Sequence, residues 1–193
     1  MSEGLNKAFI KNPKGFMQQH VFNVYPDTTA LNLNCQVHKF NIKPFSKTKV
    51  GKIPRVILTK ANKERSTFSH AFNAYYLPWQ QRGNPSIQLG TQAKYFFTAG
   101  ITGCRLIINA GNHPRVTHVD GGQYRFRNQM DALCSTRSNG NNFDRQRYWD
   151  NGNYYATIVI GTLTGIINKR WKFFAQSFNK IDTPLGGLYF EQI

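Results

Sequence analysis

Cys104 follows Gly103 directly and opens an apolar run, Leu106-Ile107-Ile108. A turn with Gly111-Asn112 and Pro114 comes next, then a second short run, Arg115 to Val119, that carries His118. Two short strands joined this closely read as a hairpin-like return, which brings His118 back beside Cys104. A cysteine with its ordinary pKa of about 8.5 is only slightly ionised at neutral pH, and an adjacent imidazole supplies the base that makes it a nucleophile. Gly103 lets a substrate approach the backbone closely, and amides near the nucleophile could hold an oxyanion. An imidazole in this role needs a third group to fix its tautomer and orientation. Asp120 lies two residues on, hence on the same face of a strand. A carbonyl or hydroxyl at Thr98, on the preceding strand, is the other candidate, and spacing does not choose between them.

Plainer readings compete at the same residues. A free cysteine on an apolar strand is ordinarily a small core residue, and a histidine two before an aspartate is ordinarily a hydrogen-bonded or surface pair. The three cysteines, Cys35, Cys104 and Cys134, cannot all pair with one another, and their wide spacing fits neither a disulfide framework nor a zinc ribbon. At least one thiol is expected to be free. His113, His118 and Asp120 spell H-x4-H-x-D, but Pro114 lies between and no further ligand cluster accompanies them, which disfavours a metal site. The two histidines could also form a ribonuclease-like pair, a reading in which Cys104 is dispensable.

The elements that must position these residues are mostly strands. Alternation or β-branched content predicts strands at His20 to Tyr25, Leu31 to His38 (with Leu31, Leu33, Cys35 and Val37 inward), Arg55 to Thr59 and within Ala74 to Trp79, the last stopping at its proline. More follow at Tyr95 to Thr98, Arg105 to Asn109, Arg115 to Val119 and Tyr154 to Leu163, with Leu188 to Ile193 closing a sheet edge. Helix signals are sparse: Asp131 to Cys134 is weak, and Ile166 to Phe178 reads equally as helix or strand. Lys43 to Gly51, Gln80 to Gln92 and the Asn/Arg/Ser/Gly-rich Ser135 to Gly152 read as loops. The expected fold is a single α+β domain spanning residues 1–193, a sheet-rich sandwich of mixed β-sheets with few short helices.

At Leu77-Pro78-Trp79-Gln80-Gln81, Phe96-Phe97-Thr98, Ile101-Thr102-Gly103-Cys104 and His118-Val119-Asp120, in that order, the chain resembles glutamine deamidase toxins of the Burkholderia lethal factor type. These are relatives of the catalytic domain of the cytotoxic necrotizing factors. The family motif is L-S-G-C, followed by a histidine a strand and turn away and preceded by F-F-T. Ile101 and Thr102 stand here where the motif has Leu and Ser. The resemblance covers about a quarter of the chain. It implies Cys104 as nucleophile, His118 as base and Thr98 as third member of the site, with no metal or organic cofactor. It further implies conversion of a specific glutamine in a host protein to glutamate. Initiation factor 4A, a translation helicase, is the preferred target, with blocked translation as the consequence, and Rho-family GTPases are the alternative. A secreted or released effector, monomeric and acting in the host cytoplasm, is the corresponding expectation.

Composition bounds these readings. At 193 residues and 22.1 kDa, with 40% hydrophobic and 14% aromatic residues, the chain is long enough for a core and is not compositionally disordered. Residues 1–15 contain no apolar stretch of the kind a Sec signal needs, and Ala156 to Ile167 is too short for a transmembrane segment. Twenty-five Lys and Arg against nine Asp and Glu give a net charge of +16, which calls for an anionic partner surface. That charge is not a feature of the resemblance. Arg125-Phe126-Arg127, Arg145 to Trp149 and Lys169 to Phe174 interleave cations with aromatics, as single-stranded nucleic acid would require. A basic nucleic-acid-binding protein is therefore the rival reading.

Overall fold

The computed structural model describes residues 2–23, 35–50, 53–61, 70–101, 104–121, 141–143, 156–178 and 189–192. It opens with two helices, α1 (Ser2–Lys11) and α2 (Pro13–Gln19), in a stretch where the sequence gives little helical signal. The joint between them is well specified. Asn12 accepts the Gly15 amide on its side chain at 3.0 Å, and Pro13 occupies the first helical position, where no amide is needed. Phe9, Phe16 and Met17 are buried, so these short helices are held by packing rather than by propensity.

Twelve strands follow among the described residues: β1 (Val21–Phe22), β2 (Gln36–Val50), β3 (Ile53–Lys60), β4 (Phe72–Leu77), β5 (Ser86–Gln88), β6 (Tyr95–Thr98), β7 (Arg105–Ile108), β8 (Arg115–Val119), β9 (Asn141–Phe143), β10 (Ala156–Thr164), β11 (Arg170–Phe178) and β12 (Tyr189–Gln192). Eight form a mixed sheet in the order β1-β3-β2-β4-β6-β10-β11-β12, parallel at β1/β3 and β4/β6. The other four form an antiparallel sheet, β5-β8-β7-β9. The sheet-rich α+β expectation holds at this level.

Three local expectations change. Lys43 to Gly51 is not a loop through most of its length: β2 runs on to Val50, because pairing with β3 keeps Pro44 and Lys49 extended across a register shift. Gln80 to Gln92 contains β5, and Ser135 to Gly152 contains β9, with the rest of the latter outside the described residues. Ile166 to Phe178 resolves as strand β11 from Arg170 onward. Asp131 to Cys134 and Leu31 to Asn34 lie outside the described residues.

Period-2 alternation sorts the large sheet into two cores. Ala74, Tyr76, Tyr95, Phe97, Ile158, Ile160 and Phe174 face the helices. Tyr75, Leu77, Phe96, Val159, Trp171 and Phe173 face the small sheet, where Ile87, Cys104, Leu106, Ile108 and Val116 meet them. The order is helices, large sheet, small sheet. Cys104 thus belongs to the layer between the sheets.

Candidate active site

The chain crosses between the sheets twice near one point. β4 ends at Leu77 because Pro78 has no amide to continue the ladder. Its parallel neighbour β6 ends level with it, Leu77 beside Thr98, and the Ala99 amide donates to the Leu77 carbonyl at 2.8 Å. After the second crossing the chain enters the small sheet at Cys104 and turns back through the β7–β8 hairpin.

Register in that hairpin decides who meets whom. Arg105 pairs with Val119 and Leu106 with His118, so Asp120 falls opposite Cys104 and His118 sits one diagonal away. All three side chains lie on the face turned to the large sheet, and all are buried, His118 at 1% exposure and Cys104 at 4%. Cys104 Sγ is 4.0 Å from Asp120 Oδ1, the outer limit of a sulfur hydrogen bond. The same carboxylate accepts the Trp79 indole N–H at 3.1 Å on Oδ1 and the Arg82 amide at 2.7 Å on Oδ2. Arg82 holds a left-handed φ of 54° in the turn that delivers this amide. Trp79 is 49% exposed and carries the cluster to the surface.

His118 is differently placed. Among the described residues neither ring nitrogen completes a hydrogen bond, to Thr98 or to Asp120. Burial drives its pKa down to about 4, against the opposing pull of the Asp120 carboxylate and the Pro78 carbonyl. The imidazole is therefore neutral at physiological pH, the form that acts as a base. Thr98 comes from the large sheet and points toward the same layer, but its hydroxyl oxygen accepts the Val159 amide at 3.0 Å. That bond fills a gap in the β6/β10 ladder, which resumes one residue out of step at Ile101 and Thr157. Thr98 staples the sheet beneath the site.

The structure thus brings Cys104, His118 and Asp120 onto one face, with Thr98 on the sheet opposite. Trp79 and Arg82 join through Asp120; Trp79 was legible only as part of L-P-W, and Arg82 left no sequence signal. His113 does not join. It is exposed in the turn at the far end of β8, where its carbonyl accepts the Gln88 side chain, so the H-x4-H-x-D pattern does not converge. No group of three or more potential metal ligands occurs among the described residues. Neither Cys35 nor Cys104 forms a disulfide among the described residues; Cys134 lies outside them. In the Lys169 to Phe174 segment Trp171, Phe173 and Phe174 are buried in the two cores, which removes their faces from base stacking. The Arg125 and Arg145 clusters lie outside the described residues. No described helix is long and apolar enough to cross a membrane. In comparisons with known proteins, no protein-family model and no curated protein matches the chain.

Proposed function

We propose that the protein is a cysteine-dependent protein-glutamine deamidase with Cys104 as nucleophile and His118 as base. The observation that carries this reading is the shared buried face of Cys104, His118 and Asp120 where the chain passes between the sheets. A thiol and a neutral imidazole are the nucleophile and base that acyl transfer needs, and the Asp120 carboxylate stands beside the sulfur.

His118 takes the thiol proton as sulfur attacks the carboxamide carbon of a substrate glutamine. The C–S bond forms, and backbone amides near Cys104 would hold the developing oxyanion. The tetrahedral adduct collapses with cleavage of the C–N bond, and the imidazolium returns its proton to the departing ammonia. Water, deprotonated by neutral His118, then hydrolyses the thioester to glutamate and restores the thiol. No metal or organic cofactor enters these steps. Asp120, fixed by Trp79 and Arg82, sets the geometry around sulfur. Thr98 holds the opposing strand in place. The substrate is a host protein acted on in the host cytoplasm, with initiation factor 4A preferred and Rho-family GTPases as the alternative, on the strength of the sequence resemblance.

The test is mass spectrometry of these candidate proteins after incubation with wild type and with Cys104→Ser. The expected result is a gain of about one dalton at one glutamine, the difference between amide and acid, absent with the variant. Deamidation that survives Cys104→Ser would overturn the assignment. Sluggish alkylation of Cys104 together with unmodified candidates would make it a core cysteine.

A further inference from the structure

The β10–β11 hairpin ends in Gly165-Ile166-Ile167-Asn168-Lys169, and its two isoleucines are 93% and 92% exposed. Two adjacent β-branched side chains held almost wholly in water are unusual. The turn beneath them is shaped: Gly165 has a φ of 94°, and a Cβ there would stand 2.6 Å from the Asn168 carbonyl oxygen. Glycine is thus needed to project the pair outward.

At the foot of this hairpin, on the helix side of the sheet, lies a cleft of about 450 Å³ lined by Ile10, Lys14, Lys94, Thr162, Thr164 and Lys172. Lys94 is fixed beside the hairpin, its carbonyl accepting the Leu163 amide at 2.8 Å. Thr162 and Lys172 are cross-strand partners. The three lysines are exposed, and the ion pairs found among the described residues centre on Glu3 of α1 and do not include them. Among the described residues no carboxylate lines the cleft. Lys169 and Arg170 add charge between cleft and tip.

We propose that the Ile166–Ile167 tip and the lysine cleft at its foot form a docking site for an anionic membrane surface. The isoleucines enter the boundary between headgroups and acyl chains, while the lysines and the threonine hydroxyls meet lipid phosphates. Each half alone is weak: two apolar side chains give shallow insertion, and surface lysines give attraction that salt screens. Their contiguity on one hairpin makes a two-signal anchor. The net charge of +16 has the sign this partner requires. Nucleic acid would be drawn to the same lysines but has no use for exposed isoleucines.

The experiment is co-sedimentation of the full chain with vesicles of phosphatidylcholine alone and of phosphatidylcholine mixed with phosphatidylserine, over a range of salt. Expected is binding to the anionic vesicles only, weakening as salt rises. Ile166→Ser with Ile167→Ser should lower vesicle affinity about tenfold, in line with losing two inserted side chains. Lys94→Glu with Lys172→Glu should lower affinity and flatten its salt dependence. An unchanged melting temperature checks that each variant is folded, which the exposure of all four side chains predicts. The proposal is overturned if anionic vesicles do not bind, or if they bind the isoleucine variant as well as wild type. It is equally overturned if single-stranded RNA binds wild type and isoleucine variant alike while vesicles bind neither.

Discussion

His118 is enclosed between two sheets with no hydrogen bond completed at either ring nitrogen, so charging it means placing an imidazolium in a largely apolar layer. The unfolded chain carries the same side chain at its ordinary pKa near 6.5, against about 4 when folded. Between these values the unfolded state binds the extra proton. Stability from this group is therefore present above about pH 6.5 and is lost as pH falls toward 4, by about 3 kcal/mol at most. Denaturant midpoints measured across that window should fall with pH in wild type and fall less in His118→Gln. Equal slopes would mean the ring is hydrated in solution. Asp120 offers a second test. Asp120→Asn keeps one acceptor oxygen but turns an amide donor toward either the Trp79 indole or the Arg82 amide. The expected cost is about 1–3 kcal/mol, with a changed Trp79 fluorescence. An unaltered midpoint would show that neither bond is made.

At the scale of elements, one buried side chain ties the N-terminal segment to the sheet. Gln176 on β11 accepts the Phe22 amide at 2.8 Å and donates to the Met17 and His20 carbonyls at 2.7 and 2.8 Å. It thereby satisfies the end of α2 and the start of β1 together. Gln176→Leu would leave three backbone groups unpaired, two of them buried, and should cost about 3 kcal/mol in chemical denaturation, with the m-value unchanged. A loss below about 1 kcal/mol would imply that water replaces the amide. Gly161, mid-β10, marks another tight joint. A Cβ there would stand 3.1 Å from both the Phe173 ring and Phe96 Cβ. Gly161→Val should destabilise by about 1–3 kcal/mol through overpacking between these rings. A neutral outcome would place the rings farther apart than described.

For the whole molecule, net charge is the property that no single contact explains. Twenty-five cations against nine anions repel one another in the compact state, because there are too few carboxylates to offset them. Raising salt from about 10 mM to about 150 mM shortens the screening length from about 30 Å to about 8 Å. The melting temperature should therefore rise over that range. A flat or falling temperature would mean the cations are already spaced widely enough not to feel one another.

The sequence by itself determined the strands whose side chains announce them. Tyr95 to Thr98 and Arg115 to Val119 appear at the residues predicted, and β4 stops at Pro78, because β-branched and aromatic runs and a missing amide act locally. It also determined that Cys104 and His118 return toward each other, since the turn around Gly111 and Pro114 lies between two short apolar runs. Tertiary structure decided the rest. Helices α1 and α2 owe their stability to Phe9, Phe16 and Met17 packing under a sheet that local periodicity does not reveal. β2 carries on through residues 43–50 because β3 pairs with Lys43, Pro44, Lys49 and Val50 on either side of a register shift. Hairpin register put Asp120, rather than His118 two residues earlier, opposite Cys104, and pairing between distant strands brought the Thr98 hydroxyl to the Val159 amide. The burial that holds His118 neutral comes from two sheets closing on each other, a long-range event no neighbouring residue encodes.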